Sequence, residues 1–162
     1  MEIAYRLIAP NDNIPLATLI RSVFREFEID QPGTVYTDPT TDHLFELFSI
    51  PKSIYWVAED SGTIIGGCGI YPTDGLPEGC AELVKLYLLP EARGKGIGLT
   101  LMQKSITAAI TFGFTQLYLE SLPELGKAVS MYEKAGFRHI GEPLGNSGHF
   151  ACNIRMIKDL RQ

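Results

Sequence analysis

Residues 82–98, Glu82-Leu83-Val84-Lys85-Leu86-Tyr87-Leu88-Leu89-Pro90-Glu91-Ala92-Arg93-Gly94-Lys95-Gly96-Ile97-Gly98, decide the fold of this chain. An apolar run leads into a proline, then into three glycines at alternate positions, and then into a helical pattern. This order predicts a strand, a loop and the start of a helix. Glycines leave main-chain N–H groups unshielded, and a helix N-terminus adds positive partial charge. The stretch therefore predicts an anion site built from main-chain groups.

Two common phosphate-binding fingerprints do not match this glycine loop. The dinucleotide fingerprint Gly-x-Gly-x-x-Gly needs a third glycine where Leu99 or Leu101 stands. The nucleotide P-loop needs Ser or Thr after a Gly-Lys pair, and here Leu99 follows Gly98. The pattern that remains is Arg93-x-x-Gly96-x-Gly98, placed between a strand and a helix.

The rest of the chain predicts an α/β architecture with a mixed sheet. Period-2 and β-rich runs predict strands near residues 2–9, 54–58, 63–71, 80–89, 115–120, 137–140 and 150–156. Helices are predicted near residues 13–27, 42–48, 97–112 and 124–134. The early strands should form an antiparallel meander, and the strand–helix–strand unit around the glycine loop should make strands 80–89 and 115–120 parallel neighbours. A length of 162 residues favours a single domain, 1–162.

Composition excludes several classes of function. A net charge of −5 argues against nucleic acid as a partner, because phosphate backbones attract basic surfaces. No apolar run is long enough to span a membrane, and the N-terminus has no pattern of a secretion signal, so a cytoplasmic protein is expected. The three cysteines show neither a disulfide framework nor zinc-ligand spacing, and no metal site is predicted.

Two motifs together resemble the GNAT (Gcn5-related N-acetyltransferase) superfamily. Residues 86–98 resemble its acyl-CoA-binding motif, and Met131-Tyr132-Glu133-Lys134-Ala135-Gly136-Phe137 resembles its second signature at a fitting distance along the chain. The resemblance implies a GNAT-type acyl-CoA N-acyltransferase fold: an antiparallel N-terminal meander, a central parallel and splayed strand pair, and flanking helices. It also implies acetyl-CoA as the cosubstrate.

The resemblance also implies where acetyl-CoA lies. Its pyrophosphate is expected on the main-chain amides of Gly94, Lys95, Gly96, Ile97 and Gly98. Its pantetheine arm is expected to pair with the backbone at two strand residues, Leu86 and Leu88. Arg93 is expected either to add its charge to the phosphates or to brace the loop.

Glu82 is the predicted general base. Alternation along the strand would place Glu82, Val84, Leu86 and Leu88 on one face, and an ionised carboxylate among apolar residues is costly. Desolvation would raise the pKa of Glu82 toward neutrality, as a base for an ammonium substrate requires. GNAT members carry their base at the matching position. The alternative is an exposed glutamate at a frayed strand end, and Glu120 is the second candidate for the base.

Tyr132 is the general acid that the resemblance implies, donating a proton to the departing CoA thiolate. The alternative is a tyrosine that only fills the core. The resemblance implies that the acceptor amine lies between residues 24–48 and 145–153. Candidate lining residues are Phe27, Tyr36, Glu120 and His149. The first of these segments is acidic, which would attract a cationic amine or would simply form a solvated surface.

The function predicted is N-acetyl transfer to a small-molecule amine by direct transfer in a ternary complex. Two alternatives remain open at this stage. One is a CoA-binding regulatory or sensor domain without turnover, and the other is a protein or peptide N-acetyltransferase, which would need an open groove. The resemblance is compatible with a homodimer, but the sequence shows no interface. It does not identify the acceptor or the acyl-chain preference.

Overall fold

The computed structural model describes residues 1–161, which form one seven-stranded sheet with helices on both faces. The strands are β1 (Ile3–Leu7), β2 (Ile54–Asp60), β3 (Thr63–Tyr71), β4 (Cys80–Leu88), β5 (Gln116–Ser121), β6 (Arg138–His139) and β7 (Ile154–Asp159). The helices are α1 (Asn13–Glu26), α2 (Leu44–Leu47), α3 (Ile97–Thr111) and α4 (Gly126–Lys134). Within residues 1–161, no helix is both long and apolar enough to cross a bilayer.

The strand order is β1-β2-β3-β4-β5-β7-β6. Strands β1 to β4 pair antiparallel in sequence order, and β4 pairs parallel with β5. Strand β7 then inserts antiparallel between β5 and β6. The predicted mixed sheet, with its antiparallel meander and central parallel pair, is confirmed.

The C-terminal part of the chain departs from the predicted elements. The last strand begins at Ile154 rather than near residue 150, because the preceding residues turn back toward the N-terminal half. The amide of Ala151 donates a 3.0 Å hydrogen bond to the carbonyl of Gly33, and the Phe150 ring lies against the same glycine. Alternating apolar residues therefore continue through a loop before the strand starts. Helix α4 begins at Gly126, after a 3₁₀ turn over Pro123–Leu125.

Two apolar clusters lie on opposite faces of the sheet. Helices α3 and α4 cover one face, where Leu101 and Met102 are fully buried. Helix α1 covers the other face with an apolar stripe that includes Leu16, Ile20 and Phe24. The three cysteines are free and buried, and they pack as small apolar side chains.

A β-bulge at Lys85 interrupts the alternation of β4. Lys85 has a φ of 55°, and the pairing of β3 with β4 shifts register between Gly67 and Gly69. An extra residue in one strand reverses the faces of the side chains beyond it. The prediction that Glu82, Val84, Leu86 and Leu88 share one face is therefore wrong. Val84 packs with the α1 cluster, whereas Leu86 and Leu88 pack with the α3 cluster.

Candidate active site

A cavity opens where the two parallel strands separate. Strands β4 and β5 pair only from Cys80 to Glu82 against Gln116 to Tyr118, and beyond Glu82 they diverge. The gap contains a cavity of about 850 Å³. Most of the predicted site residues line it: Phe27, Glu82, Leu86, Leu88, Arg93, Gly94, Gly96, Gly98, Glu120, Tyr132 and His149. Residues far apart in the sequence therefore meet in one volume, with the predicted base and the glycine loop at its wall.

The glycine loop has the conformation that an anion site needs. Gly94 and Gly96 have φ values of 73° and 79°, in the left-handed region that favours glycine. A Cβ added to either glycine would meet no atom within 4 Å, so this face of the loop is open. Gly96 is also the N-cap of the 15-residue helix α3. Its N-terminal amides and its dipole together favour a bound phosphate at this position.

The remaining loop residues differ in their side-chain environments. Lys95 is exposed and does not line the cavity, and the Ile97 side chain is buried in the core. Any contact of Ile97 with a phosphate would therefore use its main-chain amide. The Arg93 guanidinium donates hydrogen bonds of 2.7 and 2.8 Å to Glu26 and one of 3.0 Å to the carbonyl of Leu88. In this structure Arg93 ties the loop to α1 and β4.

Glu82 lies at the last position of β4 that pairs with β5, and only 4% of its surface is exposed. Burial favours the neutral carboxyl and raises the pKa of Glu82 to about 7, with a further contribution from the charge of Glu120. The Thr73 hydroxyl acts in the opposite direction, because it donates a 2.6 Å hydrogen bond to Oε1. Glu82 is thus a buried carboxyl that titrates near neutral pH, not an exposed residue at a strand end.

Glu120 lines the same cavity but is held differently. The Tyr118 hydroxyl donates a 2.6 Å hydrogen bond to its Oε2, and the Ser147 hydroxyl donates one of 2.5 Å to its Oε1. Both carboxylate oxygens of Glu120 therefore have a donor. Within residues 1–161, Glu82 accepts a hydrogen bond on one oxygen only. Its second oxygen is therefore available to accept a proton from the acceptor amine. This difference favours Glu82 over Glu120 as the base.

Tyr132 projects from α4 toward the cavity from the α3 side of the sheet. Its ring packs edge-on against Phe137 at 5.9 Å, and 7% of the residue is exposed. Burial raises the pKa of Tyr132 well above its ordinary value, so the phenol stays protonated at neutral pH. Tyr132 is therefore both a core residue and a protonated hydroxyl at the cavity wall.

Comparison with known proteins identifies the family. The family model for "Acetyltransferase (GNAT) family" matches residues 20–137. The chain is 38% identical over 156 residues to the uncharacterized N-acetyltransferase YjgM of Escherichia coli, covering 96% of this chain and 93% of that protein. The chain belongs to the acetyltransferase (GNAT) family. It is an enzyme of the acetyltransferase class.

Solved structures agree with a GNAT fold. An acetyltransferase of the GNAT family from Staphylococcus aureus Mu50 superposes with a TM-score of 0.85 at 20% identity, covering 98% of this chain and 99% of that one. The PaiA N-acetyltransferase of Thermoplasma acidophilum, solved in complex with coenzyme A, superposes with a TM-score of 0.73 at 21% identity, covering 98% of this chain and 99% of that one.

The region expected to hold the acceptor is formed by residues 24–48 and 145–153, and parts of both segments line the cavity. The two segments predicted to enclose it do meet, because His149 Nε2 lies 2.7 Å from Asp38 Oδ2. Although desolvation acts to raise it, hydrogen bonds from His149 and Thr40 keep the pKa of Asp38 below its ordinary value. Phe27 and His149 line the cavity, whereas Tyr36 lies outside it, where its hydroxyl accepts a hydrogen bond from Arg25.

Several acidic residues of the first segment already have partners. Glu26 pairs with Arg93 and Asp42 with Arg21, in addition to Asp38 with His149. Pairing reduces the attraction that the charge count alone predicts for a cationic amine. The acidic composition of residues 26–46 is therefore explained in part by ion pairs.

Sequence reasoning missed Lys85, which lines the cavity and is only 8% exposed. A lysine between Val84 and Leu86, inside an apolar run, was the available signal. The sequence did not predict that Lys85 lies on a bulge, because the residue with the positive φ is a lysine and not the glycine or asparagine that usually occupies such a position. The sequence also did not connect Tyr55 to the site. The Tyr55 hydroxyl donates a 2.7 Å hydrogen bond to the carbonyl of Lys85 and thereby holds the bulge.

Proposed function

We propose that the chain transfers an acetyl group from acetyl-CoA to a small-molecule amine by direct transfer in a ternary complex. The observation that carries the proposal is the placement of Glu82. A buried carboxyl with a pKa of about 7 lies in the same cavity as the open glycine loop at the start of α3. A base that titrates near neutral pH suits proton removal from an ammonium group.

Acetyl-CoA fits the cavity by the chemistry of its wall. The amides around Gly94, Gly96 and Gly98 would hold the pyrophosphate, and several such hydrogen bonds to a charged group contribute about 1.5–3 kcal/mol each. The unpaired edge of β4 beyond Glu82 offers backbone groups near Leu86 and Leu88 to the pantetheine arm. When bound, acetyl-CoA supplies an activated thioester.

The residues of this chain would handle the protons. Glu82 accepts a proton from the acceptor ammonium, directly or through water, and leaves a free amine. A bond forms between the amine nitrogen and the acetyl carbon, and the carbon–sulfur bond breaks. Tyr132 donates its proton to the departing thiolate, and the proton that the acetylated nitrogen then loses restores the Tyr132 phenol. An ordinary thiol has a pKa of about 8.5 and a tyrosine one of about 10, so this transfer is uphill, and the raised pKa of the buried Tyr132 makes it more so.

A panel of amines and short peptides, read by release of the CoA thiol, tests the proposal. We expect thiol release with at least one small amine, with acetylated amine as the product. Glu82→Gln should lower kcat by at least about 100-fold, the usual size of a general-base contribution. Tyr132→Phe should slow turnover while leaving acetyl-CoA affinity unchanged.

Two outcomes would favour the alternatives. Tight acetyl-CoA binding by calorimetry, with no thiol released by any amine or peptide, would favour a sensor domain. Thiol release with peptides alone would favour a protein or peptide N-acetyltransferase.

A further inference from the structure

Lys85 lines the cavity near the carboxylates of Asp38 and Glu82, and only 8% of its surface is exposed. It lies three residues beyond Glu82 on β4, and the bulge with its φ of 55° determines where its side chain points. The hydrogen bond from Tyr55 fixes the Lys85 carbonyl, and the Tyr55 ring is itself 1% exposed. Gly67 and Gly69 of β3 make room for that ring, since a Cβ on either would lie within 2.7 Å of it. The position of Lys85 is therefore determined by contacts with buried neighbours.

The Lys85 ammonium has no protein partner. Within residues 1–161 it forms neither an ion pair nor a hydrogen bond. Two of the nearby carboxylates have donors on their oxygens: Asp38 is held by His149 and Thr40, and Glu120 by Tyr118 and Ser147. Glu82 accepts one hydrogen bond, from Thr73, and its second oxygen is left for the acceptor amine. The Lys85 ammonium reaches the cavity, and its partial desolvation there is costly and lowers the pKa of Lys85. An acceptor that displaces water from the cavity would increase this cost unless it supplied an anion.

We propose that the acceptor is an amine that carries its own carboxylate, an amino acid, and that the Lys85 ammonium binds this carboxylate while Glu82 faces the amine. The proposal rests on the proposed acetyl transfer and names its substrate class. Lys85 and Glu82 come from one strand and line one cavity, so a single small zwitterion can contact both. A simple cationic amine would place a second positive charge beside Lys85 and would leave the lysine unpaired.

A carboxylate fits this site better than a phosphate or phosphonate. Lys85 supplies one positive charge, and the guanidinium of Arg93 is already committed to Glu26. A doubly charged anion would also lie close to Asp38, Glu82 and Glu120 and would be repelled by them. The charge balance of the cavity therefore favours a monoanion.

The test compares each amino acid of a panel with its carboxamide and with its decarboxylated amine. We expect kcat/KM to be at least about 10-fold higher for the amino acid, mainly through KM, because hydrogen bonds to charged groups contribute more than neutral ones. Lys85→Met should bring this ratio close to one. Lys85→Arg should restore part of the preference, since it keeps the charge at the same backbone position. An aminoalkylphosphonate serves as the doubly charged comparison.

Lys104→Met is the matched control for loss of one positive charge. Lys104 lies over the Trp56 ring at 4.8 Å and does not line the cavity, so this variant should keep the full preference. Acetyl-CoA affinity and the free energy of unfolding of each variant show whether Lys85→Met still folds and binds cosubstrate. A wild-type protein that uses amino acids and carboxamides equally well, or an unchanged ratio in Lys85→Met, would overturn the inference.

A binding measurement separates this inference from the proposed function. The same panel is titrated by calorimetry into protein saturated with CoA. If no amine releases thiol but amino acids bind more tightly than carboxamides through Lys85, only the proposed turnover fails. If amines without a carboxylate are acetylated well and amino acids bind no better than carboxamides, only the inference about Lys85 fails.

Discussion

At the scale of single residues, the chemistry proposed for the cavity depends on which ionisable side chains have ion-pair partners. Glu82 and Lys85 are both buried on β4 and neither has an ion-pair partner within residues 1–161, whereas Glu26 pairs with the Arg93 guanidinium and Asp38 is hydrogen-bonded to His149. Structural charges in proteins are normally paired, because an unpaired buried charge costs several kcal/mol. Unpaired ionisable groups in a cavity are therefore candidates for chemistry and binding.

The raised pKa of Glu82 predicts a pH dependence of stability. A folded-state pKa of about 7, against an ordinary value of 4.5, means that the folded protein binds the proton more tightly than the unfolded chain does. The stabilisation is complete below pH 4.5 and is lost as the pH rises through 7. Relative to Glu82→Gln, the wild-type free energy of unfolding should fall by up to about 3 kcal/mol between pH 4 and pH 8. Urea unfolding of both proteins across this pH range measures the difference in free energy of unfolding. A difference that does not change with pH would show that Glu82 has an ordinary pKa.

At the scale of the elements, the glycine loop and the bulge in β4 shape the cavity. The loop could be predicted from the sequence, because glycines at positions 94, 96 and 98 directly before a helical pattern form a local signal. The bulge could not be predicted. It depends on Tyr55, thirty residues earlier, whose ring needs the glycines of β3 and whose hydroxyl reaches the Lys85 carbonyl. Such a contact between strands leaves no local pattern in the sequence.

Comparison of Gly96→Ala with Gly113→Ala should distinguish an effect on the glycine loop from the general cost of backbone strain. Gly96 and Gly113 have φ values of 79° and 91°, and neither would bring an added Cβ within 4 Å of another atom. Each substitution to alanine should therefore cost about 1–2 kcal/mol of stability from backbone strain alone. Gly113 follows the end of α3 and does not line the cavity, so it is the control. Calorimetry should show weaker acetyl-CoA binding only in Gly96→Ala, and equal affinities in both variants would exclude the loop as the phosphate site.

Removal of the Tyr55 hydroxyl should loosen the bulge. Tyr55→Phe leaves the carbonyl of Lys85 without its donor, at a cost of about 1–3 kcal/mol for an unsatisfied buried group. We expect a lower free energy of unfolding and faster amide hydrogen exchange around residues 84–87. Tyr71→Phe is the matched control. Tyr71 packs in the same aromatic group beside Phe48, and within residues 1–161 its hydroxyl donates no hydrogen bond to β4. Identical stability of Tyr55→Phe and the wild type would contradict a structural role for this hydrogen bond.

At the scale of the whole molecule, the sheet brings together residues that the sequence places far apart. The order of the elements and two local motifs predicted the mixed sheet and its central parallel pair, because these depend on chain connectivity. The partners of the site residues were less accessible to prediction. Thr73 next to Glu82, Ser147 next to Glu120 and His149 next to Asp38 are contacts made by loops, whose paths depend on the folded chain. The start of β7 at Ile154, rather than near residue 150, likewise depends on the path of a loop in the folded chain.

The pH dependence of turnover tests the central claim most directly. With the best amine of the panel and saturating acetyl-CoA, the wild-type kcat/KM should rise about tenfold per pH unit below pH 7 and level off above it, because Glu82 must be ionised to accept a proton. Glu120→Gln should keep this inflection at a slightly lower pH, since the charge of Glu120 helps to raise the pKa of Glu82. Glu82→Gln should be at least about 100-fold slower and should lack the inflection. Full kcat in Glu82→Gln, with the inflection unchanged, would show that Glu82 is not the base.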